Sequence, residues 1–252
     1  LFLLIEGGSI TLLIRNNSYQ ASEILKFSTE YTSSIYDYRN TFTDYLGLKK
    51  TNDYLITENA KLHTIIQHNE HSSEENISKD KKFNYIPAKV INNSVNKRNN
   101  FITINKGEKD GIQTGMGVVT NDGVVGVVHS ISKNYSLVLS LLHSKSSTGI
   151  FLKKNLHPGI LKWKGFNYQK ATVNDFPAHL PLNVGDTIIT NSYSTIYPEG
   201  INVGTIVDFK KNDDDGDYTS NIKLFQDFNR LRYIYVVHSN ESREQLMLEE
   251  KT

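Results

Sequence analysis

Cysteine is absent from this chain of 252 residues, which excludes disulfides, thiolate nucleophiles and cysteine-based zinc sites together. An excess of charge of one sign is also lacking, because the chain has 28 Lys and Arg and 27 Asp and Glu. The resulting net charge of +1 does not favour nucleic-acid binding. A long hydrophobic run is missing as well, since no segment reaches the roughly 20 apolar residues of a full membrane span.

The N-terminal segment is nevertheless apolar, reading LFLLIEGGSITLLI before Arg15. It is too short to span a bilayer alone, and its first residue is not methionine. We therefore expect residues 1–15 to be the C-terminal part of a single transmembrane helix. A buried strand or core helix of a soluble protein is the alternative.

Residues 16–70 have the composition of a long helix, with no proline and one glycine between Ala21 and Asn69. A seven-residue frame places leucine at one seam position and asparagine at the other, which is typical of parallel two-stranded coiled coils. The predicted dimer seam is Tyr45, Leu48, Asn52, Leu55, Asn59, Leu62 and Ile66. One amphipathic helix lying against the following domain is the alternative.

Residues 71–84 are polar and predict a linker, after which short Val/Ile/Tyr-rich runs alternate with Gly, Asn and Asp. This pattern predicts a mainly β protein with two small β-barrels, in which Asn121-Asp122-Gly123 turns a hairpin. The predicted strands are Ile86–Asn92, Phe101–Asn105, Gly117–Thr120, Val124–Ile131, Ser136–Leu142, Thr148–Phe151, Gly159–Lys164, Ala171–Asp175, Thr187–Thr190, Gly204–Lys210, Asn221–Phe225 and Ile234–His238.

The expected domains are a first barrel over residues 85–155, completed by 219–240, and a second barrel over 156–218. Residues 241–252 are charged and predict a flexible tail. Asp110 and Asp186 stand beside glycines at turns, where a carboxylate can cap backbone amides.

No motif for catalysis is present: the chain has neither a Gly-x-Ser-x-Gly elbow nor a phosphate loop nor a dinucleotide fingerprint. We therefore predict a protein that is not an enzyme and has no cofactor, catalytic residue or metal ligand. Paired barrels leave a chymotrypsin-like hydrolase as an alternative, which would require His129, His143 or His157 to meet Asp and Ser in a cleft. A membrane-fusion secretion subunit shares the helix-plus-barrel plan, but the flanking lipoyl-like half motifs are not seen.

The β half carries an ordered set of short motifs. The first block runs from Phe101 to Gly107, through Asp110-Gly111-Ile112 and Gly115-Met116, to the valine-rich run at 123–128. The second block is Gly185–Thr190, then Tyr197–Ile201 and Val203-Gly204. In order and spacing these residues resemble the rod shape-determining MreC family over most of 101–237. Asn191-Ser192 stands where that family usually has Ser-Gly, which suggests that Asn191 supplies any left-handed turn residue.

The resemblance implies two linked β-barrels on the periplasmic side of the inner membrane, held by a single-pass anchor and dimerised through the helix, with filaments in some members. It implies a scaffold of the cell-elongation complex that organises and activates peptidoglycan synthases and maintains cell shape. The implied partners are MreD, MreB, RodA and a class B penicillin-binding transpeptidase. No nucleic-acid partner is expected.

An aromatic cluster near predicted loops of the second barrel is the predicted partner-binding surface, with barrel core as the alternative role. Its members are Trp163, Phe166, Tyr168, Tyr193 and Tyr197.

Overall fold

The computed structural model describes residues 2–16, 48–65, 83–165, 167–177, 179–193, 195–211 and 217–239. The chain divides into two units, Leu1–Leu55 and Ile56–Thr252. Helix α1 (Phe2–Asn16) lies in the first unit. Helix α2 covers residues 48–65. Within the described ranges, neither helix has the length and hydropathy needed to cross a membrane.

Twelve strands are described, and two short 3-10 turns, Glu108–Asp110 and Phe228–Arg230, lie between them. The strands are β1 (Phe83–Asn93), β2 (Asn99–Ile104), β3 (Gly117–Val119), β4 (Val124–Ile131), β5 (Ser136–His143), β6 (Ser147–Leu152), β7 (His157–Lys162), β8 (Lys170–Phe176), β9 (Thr187–Thr190), β10 (Asn202–Lys211), β11 (Tyr218–Leu224) and β12 (Tyr233–Ser239).

Two closed barrels form from these strands, which confirms the predicted mainly β fold with two small barrels. Barrel 1 closes in the order β1-β12-β3-β4-β5-β2, and barrel 2 in the order β10-β11-β8-β7-β6-β9. The chain leaves barrel 1 after β5, builds all of barrel 2, and returns as β12 between β1 and β3. Barrel 2 is thus inserted into barrel 1.

The predicted domain limits differ from this topology in three places. Strand β6 was assigned to barrel 1 and β11 to its completion at 219–240, but both belong to barrel 2. Strand β1 begins at Phe83, inside the predicted linker 71–84, and the linker up to residue 82 lies outside the described residues. The errors have a physical cause: membership of a barrel depends on long-range pairing, which local alternation of apolar residues does not reveal.

Side-chain alternation builds each core. In β2 the residues Phe101 and Thr103 are partly exposed, whereas Ile102 and Ile104 are fully buried. Burying one such side chain stabilises the fold by about 1.5–3 kcal/mol. In barrel 2 the fully buried set includes Ile150, Leu152, Leu161, Val173, Phe176, Ile188 and Ile222.

Two aspartates cap turns as predicted. The Asp110 carboxylate accepts the Gly107 amide at 3.1 Å and pairs with Lys106 Nζ at 2.8 Å. The bond from Lys106 is the largest of the effects that hold the Asp110 pKa below its usual value. In barrel 2 the Asp186 carboxylate accepts the Asn183 amide at 2.8 Å in the same way.

Candidate protein-docking surface

The outer face of barrel 2 carries an apolar surface on β6, β7 and the loop after β9. Phe151 in β6 pairs with Pro158 in β7 and with Ile189 in β9, so these three side chains share one face of the sheet. Their neighbours Ile150 and Leu152 are fully buried in the barrel, which places the Phe151 face on the outside. We call Phe151, Pro158, Ile160 and Tyr193 the docking face.

Tyr193 projects from this face into solvent, with 69% of its surface exposed. Its ring meets Phe151 edge-on, with ring centroids 5.2 Å apart, and Phe151 is only 4% exposed. Ile160, which pairs with Gly149, is 51% exposed, and Pro158 is exposed beside it. A tyrosine over a sheet, next to an isoleucine and a proline, forms an amphipathic surface of the kind found in protein interfaces.

The polar base of the docking face is Asn191. Its amide fills the space above Gly149, where an added Cβ would lie 2.6 Å from Nδ2. Asn191 is buried, and among the described residues its Oδ1 finds no hydrogen-bond partner. The expectation that Asn191 adopts a left-handed conformation is wrong: among the described non-glycine residues the positive φ belongs to Leu156 at 53°, and Gly200 supplies φ 88° in the loop after Asn191.

Cations border the docking face. Lys162 follows Ile160 on the exposed side of β7, and Lys153 is exposed at the β6–β7 turn. Lys154 in the same turn is held by Asp186 at 2.6 Å. Leu156, at the end of this turn, is 52% exposed. The surface is therefore apolar at its centre, with lysines at both ends of the β6–β7 hairpin, which suits a protein partner with carboxylates at its rim.

The predicted aromatic cluster divides in the structure. Trp163 is buried, and its indole Nε1 donates to the Asn167 carbonyl at 2.8 Å. Tyr197 is also buried, at the contact between the barrels. Tyr168 is half-buried against the core, whereas Tyr193 is exposed. Phe166 lies outside the described residues.

Sequence reasoning missed Phe151, Pro158 and Ile160. A signal was present in β7, where Pro158, Ile160 and Lys162 alternate with Gly159 and Leu161. That alternation separates the two faces of the strand. Because both faces carry apolar residues, the sequence alone does not indicate which face points away from the barrel.

Helix α2 presents two sides. Leu48, Leu55 and Leu62 are 68%, 51% and 47% exposed and repeat at seven-residue spacing. Asn52 is exposed as well, and the outer seam positions Tyr45 and Ile66 lie outside the described residues. In a single chain the described leucines of the predicted seam thus have solvent around them.

The other side of α2, over residues 56–65, contacts barrel 1. Ala60 is buried there, and the His63 ring stacks on Tyr85 with centroids 5.3 Å apart. The Asn59 side chain hydrogen-bonds the Tyr235 hydroxyl, although burial is the larger effect and raises the Tyr235 pKa. Asn59 therefore contacts the barrel, and its seam position remains a prediction.

The three histidines of the hydrolase alternative, His129, His143 and His157, each lie against an aromatic ring. The His143 Nδ1 accepts the Lys145 amide at 2.9 Å, and the His143 ring meets Phe101 edge-on. His129 lies against the same Phe101, and His157 lies against Phe176 in the other barrel. Within the described ranges, no cluster of three metal-ligating side chains is found.

Comparison with known proteins points to one family. The family model described as "Rod shape-determining protein MreC, barrel core" matches residues 90–238. The "Cell shape-determining protein MreC" of Listeria monocytogenes is 24% identical over 185 residues, which cover 71% of this chain and 63% of the relative. The chain thus spans less than two thirds of that relative's length.

Solved structures share the fold. An MreC structure from Listeria monocytogenes superposes with a TM-score of 0.61 at 21% identity, covering 76% of this chain and 94% of that one. An MreC chain from a complex between Penicillin-Binding Protein (PBP2) and MreC of Helicobacter pylori gives a TM-score of 0.52 at 18% identity. That match covers 63% of this chain and 99% of the neighbour.

Proposed function

This chain belongs to the family of rod shape-determining MreC proteins, and we propose that it is a membrane-anchored periplasmic scaffold of the cell-elongation complex. In this role it organises and activates peptidoglycan synthases and so maintains cell shape. The scaffold acts by docking other proteins and has no catalytic turnover of its own.

The observation that carries this proposal is the docking face of barrel 2. Both described sheets close on themselves, so a partner meets side chains on barrel walls instead of a free strand edge. Tyr193 and Ile160 provide exposed apolar area at the centre of the face, and Lys162 provides charge at its edge. A central aromatic with a polar rim is the usual anatomy of a protein interface.

The partner proposed for the docking face is a class B penicillin-binding transpeptidase. The support is the Helicobacter pylori neighbour, which was solved in complex with PBP2. MreD, MreB and RodA are further partners proposed from family membership alone.

Dimerisation through α2 is the second part of the proposal. Three exposed leucines at seven-residue spacing would lose their contact with water in a parallel pair. Pairing would also bring two docking faces to one place and raise their effective concentration for a multivalent partner.

Membrane anchoring is the third part. The described start of α1 exposes Phe2, Leu3, Leu4 and Ile5 by 65–82% of their surface, which suits a lipid environment. We propose that α1 belongs to an inner-membrane anchor, with the barrels in the periplasm.

A direct binding measurement tests the scaffold proposal. The full chain in detergent is passed over the immobilised periplasmic domain of the class B transpeptidase from the same bacterium, and binding is followed by surface plasmon resonance. Saturable binding that shifts to weaker affinity for Ile160→Asp supports the proposal. Absence of binding, or equal binding by Ile160→Asp, contradicts it; Ile131→Asp on barrel 1 is the control.

A further inference from the structure

A tyrosine in the loop between β9 and β10 links the two barrels. Tyr197 lies between β9 and β10 of barrel 2, yet its hydroxyl donates a 2.7 Å hydrogen bond to the Gly126 carbonyl in β4 of barrel 1. The ring is almost completely buried. It is a long side chain that crosses from one barrel to the other.

Glycines in barrel 1 make room for this contact. A Cβ at Gly117 would lie 2.8 and 2.9 Å from two Tyr197 ring carbons and would also clash with the Ile196 carbonyl. A Cβ at Gly123 would lie 2.6 Å from the Asn202 carbonyl. Since real Cβ atoms do not approach so closely, a larger residue at either position would displace the neighbouring backbone or side chain of barrel 2.

The β3–β4 hairpin, which contacts barrel 2, also contacts α2. Asn121 in its turn contacts His63 Nε2 through Oδ1 at 2.9 Å, in the turn that Gly123 closes. This hairpin therefore touches the loop of barrel 2 on one side and the helix on the other.

The loop that bears Tyr197 is fixed at its base within barrel 2. The Thr190 hydroxyl donates to the Pro198 carbonyl at 2.6 Å and accepts the Ile201 amide at 2.9 Å. Tyr193 precedes Tyr197 on the same loop and rests on Phe151. Because the loop is tied to its own barrel around Tyr197, the hydroxyl bond to Gly126 orients barrel 2 as a whole and not a free loop.

We propose that Tyr197 is a positioning residue that sets the orientation of the docking face relative to barrel 1. The proposal rests on the proposed docking function and extends it: a partner that spans the docking face and a second surface of the scaffold needs one fixed orientation. The residue acts through the geometry of the barrels and does not itself touch the partner.

The test uses the conservative variant Tyr197→Phe, which keeps the ring and removes only the hydroxyl. Because the chain has no cysteine, spin labels can be attached at Lys89→Cys on barrel 1 and Lys210→Cys on barrel 2 without background. Pulsed electron paramagnetic resonance then measures the distance distribution between the barrels in the full chain. Tyr135→Phe, an exposed tyrosine on barrel 1, is the matched control.

We expect one narrow distribution for the parent and the control, and a broader or shifted distribution for Tyr197→Phe. Loss of one neutral hydrogen bond also predicts about 2- to 10-fold weaker binding of the transpeptidase domain. An unchanged distribution overturns the proposal. So does an unfolded Tyr197→Phe, judged by circular dichroism, because the hydroxyl would then serve core stability.

Binding and orientation are read separately, so the two proposals fail in different ways. If Tyr197→Phe changes the distance distribution but binds the transpeptidase with unchanged affinity, then the orientation of the barrels does not affect binding. That result overturns the positioning role of Tyr197 and leaves the docking face intact. Loss of the docking face itself would appear as unchanged affinity in Ile160→Asp, whatever the distances show.

Discussion

Tyr193 stands edge-on to Phe151, with their ring planes 82° apart, and shields that phenylalanine from solvent while remaining mostly exposed itself. Edge-to-face pairs of this kind contribute about 0.5–1.5 kcal/mol beyond area burial. In the proposed docking role, a tyrosine ring that is already held in one orientation loses less entropy when a partner binds.

Tyr193→Ser is predicted to weaken binding of the class B transpeptidase domain by at least about 2 kcal/mol, or roughly 30-fold, because it removes the most exposed aromatic of the docking face. Calorimetric titration measures the affinity, and thermal unfolding checks the fold. Tyr135→Ser, on barrel 1, serves as the control. Equal loss in both variants would remove Tyr193 from the interface.

Tyr197→Ala is predicted to destabilise the protein by about 3–5 kcal/mol, as found for buried aromatic residues replaced by alanine. Urea unfolding of the full chain gives the free energy of unfolding. The matched Tyr193→Ala variant should lose less than about 1 kcal/mol, because that side chain is exposed. Similar losses at both positions would contradict the division of roles between the two tyrosines.

Leu55→Asp is predicted to convert a dimer into a monomer, because a charge at the centre of the leucine seam cannot be buried without a partner. Sedimentation equilibrium of the full chain measures the mass. Leu156→Asp is a closely matched control, since Leu156 is 52% exposed and Leu55 is 51% exposed. A monomeric parent chain would rule out the seam, and so would a Leu55→Asp variant that stays dimeric.

Acid is predicted to destabilise barrel 1 through His143. Burial is the main cause that lowers the His143 pKa below 6.5, and the charges of Lys145 and His129 add to it. Between that lowered pKa and 6.5 the unfolded chain binds a proton that the folded chain does not, so the free energy of unfolding falls as pH drops below about 6.5.

His143→Gln should reduce this loss of stability when urea unfolding at pH 7.5 and 5.5 is compared. The exposed His179, replaced by Gln, is the control and should leave the difference as in the parent. A steeper pH dependence in His143→Gln than in the parent would show that the folded state favours the protonated ring instead.

Much of the fold could be predicted because strand formation follows short-range patterns of apolar and turn residues. Each predicted strand overlaps one of the twelve that the structure describes, and β4 and β9 match at both ends. The hairpin at Asn121-Asp122-Gly123 followed from turn chemistry, and it joins β3 to β4. The family resemblance, carried by ordered glycine motifs, is confirmed by the match over residues 90–238.

The assignment of strands to barrels and of aromatics to surfaces could not be predicted equally well. β6 and β11 were placed in the wrong barrel because closure is a long-range property. Trp163, Tyr193 and Tyr197 are all aromatic residues near predicted loops, so the sequence does not distinguish them. Trp163 and Tyr197 are nevertheless buried, whereas Tyr193 is exposed. The contact between Gly117 and the Tyr197 ring joins residues of two different barrels, so it forms only when both barrels have folded.

Site-specific photo-crosslinking in living cells shows which protein lies against the docking face. A photoreactive amino acid replaces Ile160 in the docking face or, as the control, Ile131 on barrel 1, and the adduct is identified by mass spectrometry. We expect the Ile160 position to capture the class B penicillin-binding transpeptidase and the Ile131 position not to capture it. Equal capture at both positions, or capture of the transpeptidase from Ile131 alone, would contradict this expectation.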